Sequence, residues 1–115
     1  MGAILDKETG DPLVTQARQL LEERRYKEAL EILKITISLD KNDPKKWFYQ
    51  GQAHMFLGQY SMALSDFIRA DILFKGEHAD TKLHVSRVSA CLGDYPNAIQ
   101  YATECIELMD EFKFG

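Results

Sequence analysis

Apolar side chains recur at a helical spacing along almost the whole chain. Val14, Ala17 and Leu20 begin the pattern and lie three residues apart, which places them on one face of a helix. The same spacing returns in five later segments, separated by polar residues, glycine or proline. The pattern therefore predicts an all-α fold with six helices, at about residues 12–24, 28–40, 45–57, 61–74, 80–92 and 96–111.

Turn residues mark where several of these helices begin and end. Asp11-Pro12 and Asp43-Pro44 each supply a capping carboxylate, followed by a proline at a position where no backbone donor is needed. Glycines follow the third and the fifth helix, and glycine readily adopts the left-handed backbone that ends a helix. The connections are therefore short, and paired helices are expected to run antiparallel.

A set of small residues recurs together with the turns. Tyr26, Tyr60 and Tyr95 are 34 and 35 residues apart. Small residues lie at fixed distances from these tyrosines: Ala29, Ala63 and Ala98 three residues after, Ala17, Gly51 and Ser86 nine before, and Thr36, Ala70 and Cys105 ten after. Small side chains let two helix backbones approach closely, and the tyrosine fills the space beside them. A period of about 34 residues with this pattern indicates a helical repeat array.

The middle repeat resembles the tetratricopeptide repeat (TPR) family. The residues that fall on motif positions of that family are Trp47, Gly51, Gly58, Tyr60, Ala63, Phe67 and Ala70. The resemblance implies a right-handed superhelix of three TPR-like helix-turn-helix units, an α-solenoid. The units are expected at residues 10–43, 44–78 and 79–112, with a leader at 1–9 and a tail at 113–115.

The sequence departs from the family pattern at a few positions. Gln50 and His54 stand where leucine and tyrosine are usual, and the outer units carry Leu13 and Lys82 in place of the tryptophan. The fold prediction is unaffected, because the small-residue positions agree in all three units.

Charge and composition narrow the classes of partner. The 115 residues carry a net charge of −4, so no basic surface for nucleic acid or for an anionic membrane is expected. No apolar run is long enough for membrane insertion, and the start of the chain lacks the features of a secretory signal. Cys91 and Cys105 lie in apolar helical contexts and are expected to be reduced core thiols. This favours the cytoplasm, with the nucleus as an alternative.

The resemblance also implies a groove, lined by the first helix of each unit, that binds peptides or partner helices. The residues that map to this candidate groove are Val14, Arg18, Leu21, Phe48, Gln52, Met55, Phe56, Leu83 and Arg87. The set is mostly apolar with two arginines, so it suits an apolar or amphipathic segment that bears an acidic residue. The alternative is that Phe48 and Phe56 simply pack between neighbouring units. A scaffold or adaptor function follows from the first interpretation.

A more specific form of the resemblance is capture of the acidic tail of a heat-shock chaperone. Family members that do this use a clamp of lysines, asparagines and an arginine. The corresponding positions here are Val14, Arg18, Tyr49, Asp80 and His84. Only Arg18 suits the clamp, and Asp80 would repel a carboxylate. A chaperone-linked adaptor without the standard clamp therefore stays an alternative, as does a regulatory or targeting domain of a larger protein.

Nothing in the sequence favours an enzyme, a cofactor or a metal site. The three histidines, His54, His78 and His84, have no spacing that forms a recognised zinc site, which needs three or four converging ligands. His84 and Cys91 are seven residues apart, about 10 Å along a helix, too far to act as a thiol and base. We therefore expect no catalytic residues and no bound cofactor.

The last helix is expected to leave apolar side chains uncovered, because no polar capping helix follows the third unit. The candidate self-association face consists of Tyr101, Leu108, Met109, Phe112 and Phe114. Three interpretations remain open: the chain is part of a longer array, it self-associates as a homo-oligomer, or the last helix bends so that these side chains cover the core.

Overall fold

The helices predicted from the apolar pattern are all present. We describe the fold from a computed structural model, in which the backbone of residues 11–114 and the side chains of residues 11–111 are described. The six helices are α1 (Pro12–Glu22), α2 (Tyr26–Leu39), α3 (Pro44–Phe56), α4 (Tyr60–Leu73), α5 (Ala79–Cys91) and α6 (Tyr95–Phe114). Residues 11–114 contain no strand, which confirms the all-α prediction. The predicted leader at 1–9 lies outside the described residues.

The helix starts are set by the predicted caps. Asp11 is in an extended conformation, and its side chain accepts a hydrogen bond of 2.8 Å from the Leu13 backbone N–H. Asp43 does the same for the Lys45 N–H at 3.0 Å. Each cap satisfies a donor that would otherwise lack a partner in the first helical turn.

The turns inside the three helix pairs share one backbone conformation. Gly58 and Gly93 have φ values of 77° and 82°, and Arg24 occupies the matching position of the first turn with φ 64°. These values lie in the left-handed region, which glycine adopts at little cost and which is strained for arginine. The first turn therefore keeps the same geometry as the others although its residue is unfavourable for it.

Consecutive helices pack in antiparallel pairs, α1 with α2, α3 with α4 and α5 with α6, and the pairs stack on one another through α2–α3 and α4–α5. The small residues predicted at the crossings are buried: Ala17, Ala29, Thr36, Ala63 and Ala70 are 0% exposed, Cys105 is 6% and Ala98 is 8% exposed. A Cβ atom added to Gly51 would lie 2.7 Å from Phe67 Cε1. Close helix approach therefore requires small residues here. The unit boundaries at 43/44 and 78/79 stay a prediction.

One expectation about the core, that Cys91 is buried, is wrong, and Trp47 also lies partly outside the core. Trp47 is only partly buried: its Nε1 donates to the Lys41 carbonyl at 2.8 Å, and the Arg69 guanidinium lies 5.9 Å from its ring centre. Cys91 is exposed, whereas Cys105 is buried as expected.

Candidate functional site

Phe48 of α3 lies at the centre of the candidate groove. Its ring centre is 5.3 Å from that of His78, 5.2 Å from His84 and 5.8 Å from Phe67. Phe48 is partly buried. Phe48 therefore packs between neighbouring helix pairs, as the alternative interpretation held. It lines the candidate groove, but only part of its side chain is accessible to a partner.

A polar bridge joins α3 to α5 beside this aromatic cluster. Gln52 Nε2 lies 3.3 Å from His84 Nε2, and His84 Nδ1 lies 2.8 Å from the Asp80 carbonyl oxygen. A carbonyl only accepts, so His84 Nδ1 carries the proton and Nε2 accepts from the Gln52 amide. Burial lowers the pKa of His84, so the ring is neutral near pH 7 and the bridge is uncharged.

His78 fixes the other side of the cluster. Its Nδ1 accepts a hydrogen bond from the Thr81 N–H at 3.3 Å and another from the Thr81 hydroxyl at 2.7 Å, which caps α5. Its ring stacks on Phe74 with centres 4.1 Å apart. Burial lowers the pKa of His78 as well. Both histidines are therefore held neutral by packing and serve to position α5 against α3.

The other residues of the candidate groove differ in accessibility. Phe56 is 57% exposed and stacks on Tyr26, with ring centres 5.0 Å apart. Arg18 and Arg87 are exposed, and Arg18 lies 3.9 Å from Glu22. Leu21, Met55 and Leu83 are partly buried. Val14 is 3% exposed, so it belongs to the core and offers almost no surface to a partner.

The positions that correspond to the chaperone-tail clamp remain unsuited to a carboxylate. Val14 is buried, Asp80 is exposed, and His84 already makes two hydrogen bonds. Burial raises the pKa of Tyr49, so it stays neutral. Arg18 is then the one cation of the set.

A buried polar network was missed by the sequence analysis. His54 Nδ1 lies 2.6 Å from Asp66 Oδ2, and the Gln50 amide donates to Asp66 Oδ1 at 3.0 Å. Burial raises the pKa of Asp66, against the lowering effect of the Gln50 and His54 hydrogen bonds. The sequence feature that could have revealed this network is the pair Gln50 and His54, four residues apart at positions where leucine and tyrosine are usual. His54 and Asp66 are 8% and 6% exposed, so the pair has no access to a substrate.

Two buried lysines were missed as well. The Lys82 ammonium lies 3.1 Å from Asp71 and 2.7 Å from Glu104. Burial alone would lower the pKa of Lys82, but the bonds to Glu104 and Asp71 outweigh it and raise the pKa. Lys46 donates to the Thr36 carbonyl at 2.8 Å and lies 3.5 Å from Asp11. These ion pairs are structural, and no cluster of three or more metal-ligating side chains occurs within residues 11–111.

The candidate self-association face on α6 is only partly exposed. Tyr101 and Leu108 are partly buried, and the Lys82 ammonium lies 5.1 Å from the Tyr101 ring centre. Met109 is 59% exposed; the side chains of Phe112 and Phe114 lie outside the described residues. The exposed stripe of α6 instead consists of Tyr95, Ile99, Ile106 and Met109, which are 63%, 67%, 58% and 59% exposed.

Similarity to solved structures decides the fold. No family model matches the sequence, and a search of curated proteins finds no match. The second TPR of Spaghetti (RPAP3), bound to the HSP90 peptide SRMEEVD, matches with a TM-score of 0.82 over 94% of this chain and 99% of that chain, at 18% identity. The fold of this chain is a TPR-like helical repeat.

Two other matches agree with this TPR-like fold. MamA from Desulfovibrio magneticus RS-1 matches with a TM-score of 0.81 and 20% identity over 86% of this chain and 55% of that chain. The Yersinia enterocolitica type III secretion translocator chaperone SycD matches with a TM-score of 0.81 and 18% identity over 84% of this chain and 66% of that chain. This chain therefore spans just over half of that MamA chain, which begins at residue 41, and slightly less than two thirds of that SycD chain.

At sequence identities of 18–20%, these similarities establish the fold of this chain and not its function. SycD has also been solved in complex with a peptide of the translocator YopD.

Among the helices of the TPR-like array that the structure describes, none is both long and apolar enough to cross a membrane.

Proposed function

We propose that this chain is a protein-interaction module that binds a peptide or a partner helix in the candidate groove. The observation that carries the proposal is the junction of α3 and α5, where Phe48 and Gln52 both contact His84. Arg87, one turn beyond His84, is exposed beside this surface. Peptide complexes of two proteins with the same fold, RPAP3 and SycD, support the same kind of partner.

The chemistry of the groove defines the partner further. Phe56 offers an exposed aromatic face, and Met55 and Leu83 are partly accessible. Arg18 and Arg87 are the two cations of the groove. The partner is therefore an apolar or amphipathic segment with an acidic residue. A scaffold or adaptor without catalysis of its own, in the cytoplasm or the nucleus, is the function that fits this surface.

Affinity for a selected peptide tests the proposal. A peptide is chosen from a random peptide phage library on the unmodified chain, and its dissociation constant is measured by fluorescence anisotropy. The variant Phe56→Ala with Arg87→Glu should weaken binding about tenfold or more, because an aromatic anchor and a charge partner are lost.

The control changes one exposed apolar residue and one exposed basic residue away from the groove. Met62 on α4 is 56% exposed, and Lys34 on α2 is exposed. The variant Met62→Ala with Lys34→Glu should bind as the unmodified chain does. Equal loss in both variants, or loss only in the control, would move the binding site away from the groove.

A chaperone-linked adaptor is the second candidate, favoured by the similarity to the RPAP3 repeat with its HSP90 peptide. The clamp positions argue against capture of an acidic tail by the same residues. We expect the peptide SRMEEVD to show no binding at micromolar concentration in a calorimetric titration. Micromolar affinity would establish this candidate and show that residues other than the clamp positions hold the tail.

Self-association is a further part of the proposal. The residues of the exposed stripe, Tyr95, Ile99, Ile106 and Met109, follow one another at intervals of four, seven and three residues, which places them on one face of α6, as in a helix–helix contact. Sedimentation at rising concentration should show dimers, and Ile99→Lys with Ile106→Lys should abolish them. A strict monomer at all concentrations would contradict this part alone.

A further inference from the structure

Positive charge is concentrated at one of the three matching turns. The first turn reads Arg24-Arg25-Tyr26-Lys27, whereas the matching segments 58–61 and 93–96 read Gly-Gln-Tyr-Ser and Gly-Asp-Tyr-Pro. The chain as a whole has a net charge of −4. This basic cluster therefore has no counterpart at the other two turns, and its sign is opposite to the net charge of the chain.

Arg24 occupies a backbone conformation that favours glycine. Arg24 has φ 64°, and the glycines at the matching positions have φ 77° and 82°. Glycine adopts this conformation without strain, and arginine does not. Lys75, between the second and third helix pairs, has a similar φ of 60°, so the strain alone assigns no role to Arg24. Evidence for a site at this turn therefore has to come from the surroundings of Arg24.

A pocket opens beside this turn. It has a volume of about 390 Å³ and is lined by Arg24, Arg25, Tyr26, Lys27, Glu28 and Leu57. Tyr26 stacks on Phe56 of the candidate groove, and Leu57 follows Phe56 in the chain. The pocket, called here the Arg24 pocket, therefore adjoins the end of the groove and has an apolar wall with a basic rim.

The charges of the Arg24 pocket are unevenly paired. Arg25 makes two hydrogen bonds with Glu28, of 2.9 and 2.6 Å, and one of 3.1 Å with Glu23. The bonds from Arg25 lower the pKa of Glu28, so this pair stays ionised. The side chains of Arg24 and Lys27 have no hydrogen bond or ion pair within residues 11–111. Two cations at the rim are therefore available to an external anion.

We propose that the Arg24 pocket binds the acidic part of a peptide segment. A carboxylate pairs with Arg24 and Lys27, and the adjacent apolar side chain of the peptide lies against Tyr26 and Leu57. This inference rests on the proposed function, because it adds a second acidic residue to the groove-bound segment, beyond the one that pairs with the groove arginines. The proposed occupant is a carboxylate, because the segment inferred for the groove is acidic; a phosphoserine is the competing occupant that the test separates from it.

The test uses defined peptides and the variant Arg24→Gly. The probes are the blocked peptides Ala-Glu-Phe-Ala and Ala-Gln-Phe-Ala and a phosphoserine counterpart, titrated into the ¹⁵N-labelled chain and followed by amide chemical shifts. The glutamate peptide should shift the amides of residues 24–28 and Leu57, and the glutamine peptide should bind about tenfold more weakly. Higher salt should weaken the glutamate peptide further.

Arg24→Gly separates binding from folding, because glycine is the residue of the matching turns. The variant should be at least as stable as the unmodified chain and should bind the glutamate peptide about tenfold more weakly. The control Lys41→Gln removes one charge at the opposite end of α2 and should leave the affinity unchanged.

The distribution of shifts distinguishes the two proposals. Shifts at Gln52 and Leu83 without any at residues 24–28 would overturn the Arg24 pocket and leave the groove intact. Shifts confined to residues 24–28 and Leu57 would support the pocket, and the longer phage-selected peptide then tests the groove separately. Equal affinity of Arg24→Gly, tighter binding of the phosphoserine peptide, or no shift at millimolar peptide would each overturn the pocket proposal.

Discussion

At the scale of single residues, Gly51 is tightly constrained by its neighbour across the helix crossing. An added Cβ would lie 2.7 and 2.8 Å from two ring carbons of Phe67, a side chain that is 0% exposed. Such a ring cannot move without disturbing the rest of the core. Gly51 therefore sets how closely α3 and α4 approach.

Gly51→Ala should lower the free energy of unfolding by about 1–3 kcal/mol, because the new methyl group overpacks the crossing. Helix propensity alone predicts the opposite sign, a gain of about 1 kcal/mol. Denaturant unfolding followed by circular dichroism measures the difference. Ser65→Ala on the exposed face of α4 is the control and should be neutral or slightly stabilising.

A shorter side chain at position 67 tests whether overpacking against Phe67 causes the loss of stability. In a double-mutant cycle, Gly51→Ala should cost less in a Phe67→Leu background than in the unmodified chain. A stabilising Gly51→Ala, or no coupling to Phe67, would show that this crossing is not limited by side-chain size.

The residues predicted from sequence are those whose environment repeats. Ala29, Ala63 and Ala98 follow their turns at a constant distance, and each is buried. Three copies of one constraint make the pattern visible. Val14 and Cys91 were misplaced because exposure depends on how far the neighbouring helix pair extends, which a single helical pattern does not contain.

The buried polar groups could not be predicted for a related reason. His54 pairs with Asp66 twelve residues away, and Lys82 pairs with Glu104 twenty-two residues away. Each partner looks like an ordinary surface residue in its own helix. The helix packing has to be known before such pairs can be assigned, so only the unusual residue types were noticed.

At the scale of helices, Lys82 connects three elements. It belongs to α5 and pairs with Asp71 of α4 and Glu104 of α6. Asp71 is 9% exposed, and its Oδ1 has no hydrogen-bond partner among residues 11–111. The Lys82 ammonium therefore provides the compensation for the buried Asp71 charge.

Lys82→Met should lower the free energy of unfolding by about 3–5 kcal/mol, because it leaves the Asp71 carboxylate buried without its cation. The double variant Lys82→Met with Asp71→Leu should recover most of this loss, since no buried charge then remains. Thermal and denaturant unfolding measure both. A double variant as unstable as the single one would mean that lost packing, and not the uncompensated charge, causes the effect.

The start of α5 gives the fold a pH dependence. Burial lowers the pKa of both His78 and His84, so the unfolded chain takes up protons at a higher pH than the folded one. The folded state should therefore lose stability as the pH falls below about 6.5, the ordinary histidine value, and the loss should continue down through the lowered folded-state pKa values. Unfolding free energies measured in this range test the expected direction.

Other groups also titrate in acid, so the histidine contribution needs a matched variant. The raised pKa of Asp66 acts in the opposite direction, and the lowered pKa of Glu104 acts only at lower pH. His78→Asn keeps a helix cap, and His84→Gln keeps a polar side chain beside Gln52. The double variant should show a flatter profile below about pH 6.5. Identical profiles would contradict the assignment to these histidines.

At the scale of the whole molecule, the stacked helix pairs form a body of 40 × 35 × 24 Å. In a helical repeat array each pair contacts only its neighbours, so the array holds α3 and α5 at a fixed distance, with Phe48, Gln52 and His84 between them. This arrangement follows from the sequence repeat. The identity of the partner does not follow from the repeat, because the candidate groove residues differ between the three units whereas the packing residues recur.

The central claim is that a peptide binds between α3 and α5, and paramagnetic broadening tests it most directly. A nitroxide label is attached to the phage-selected peptide, and amide signals of the ¹⁵N-labelled chain are compared before and after reduction of the label. Broadening should be strongest at Gln52, Leu83 and Arg87. Broadening at Met62 and Ile72, exposed on α4, with none at Gln52 and Leu83, would contradict the claim.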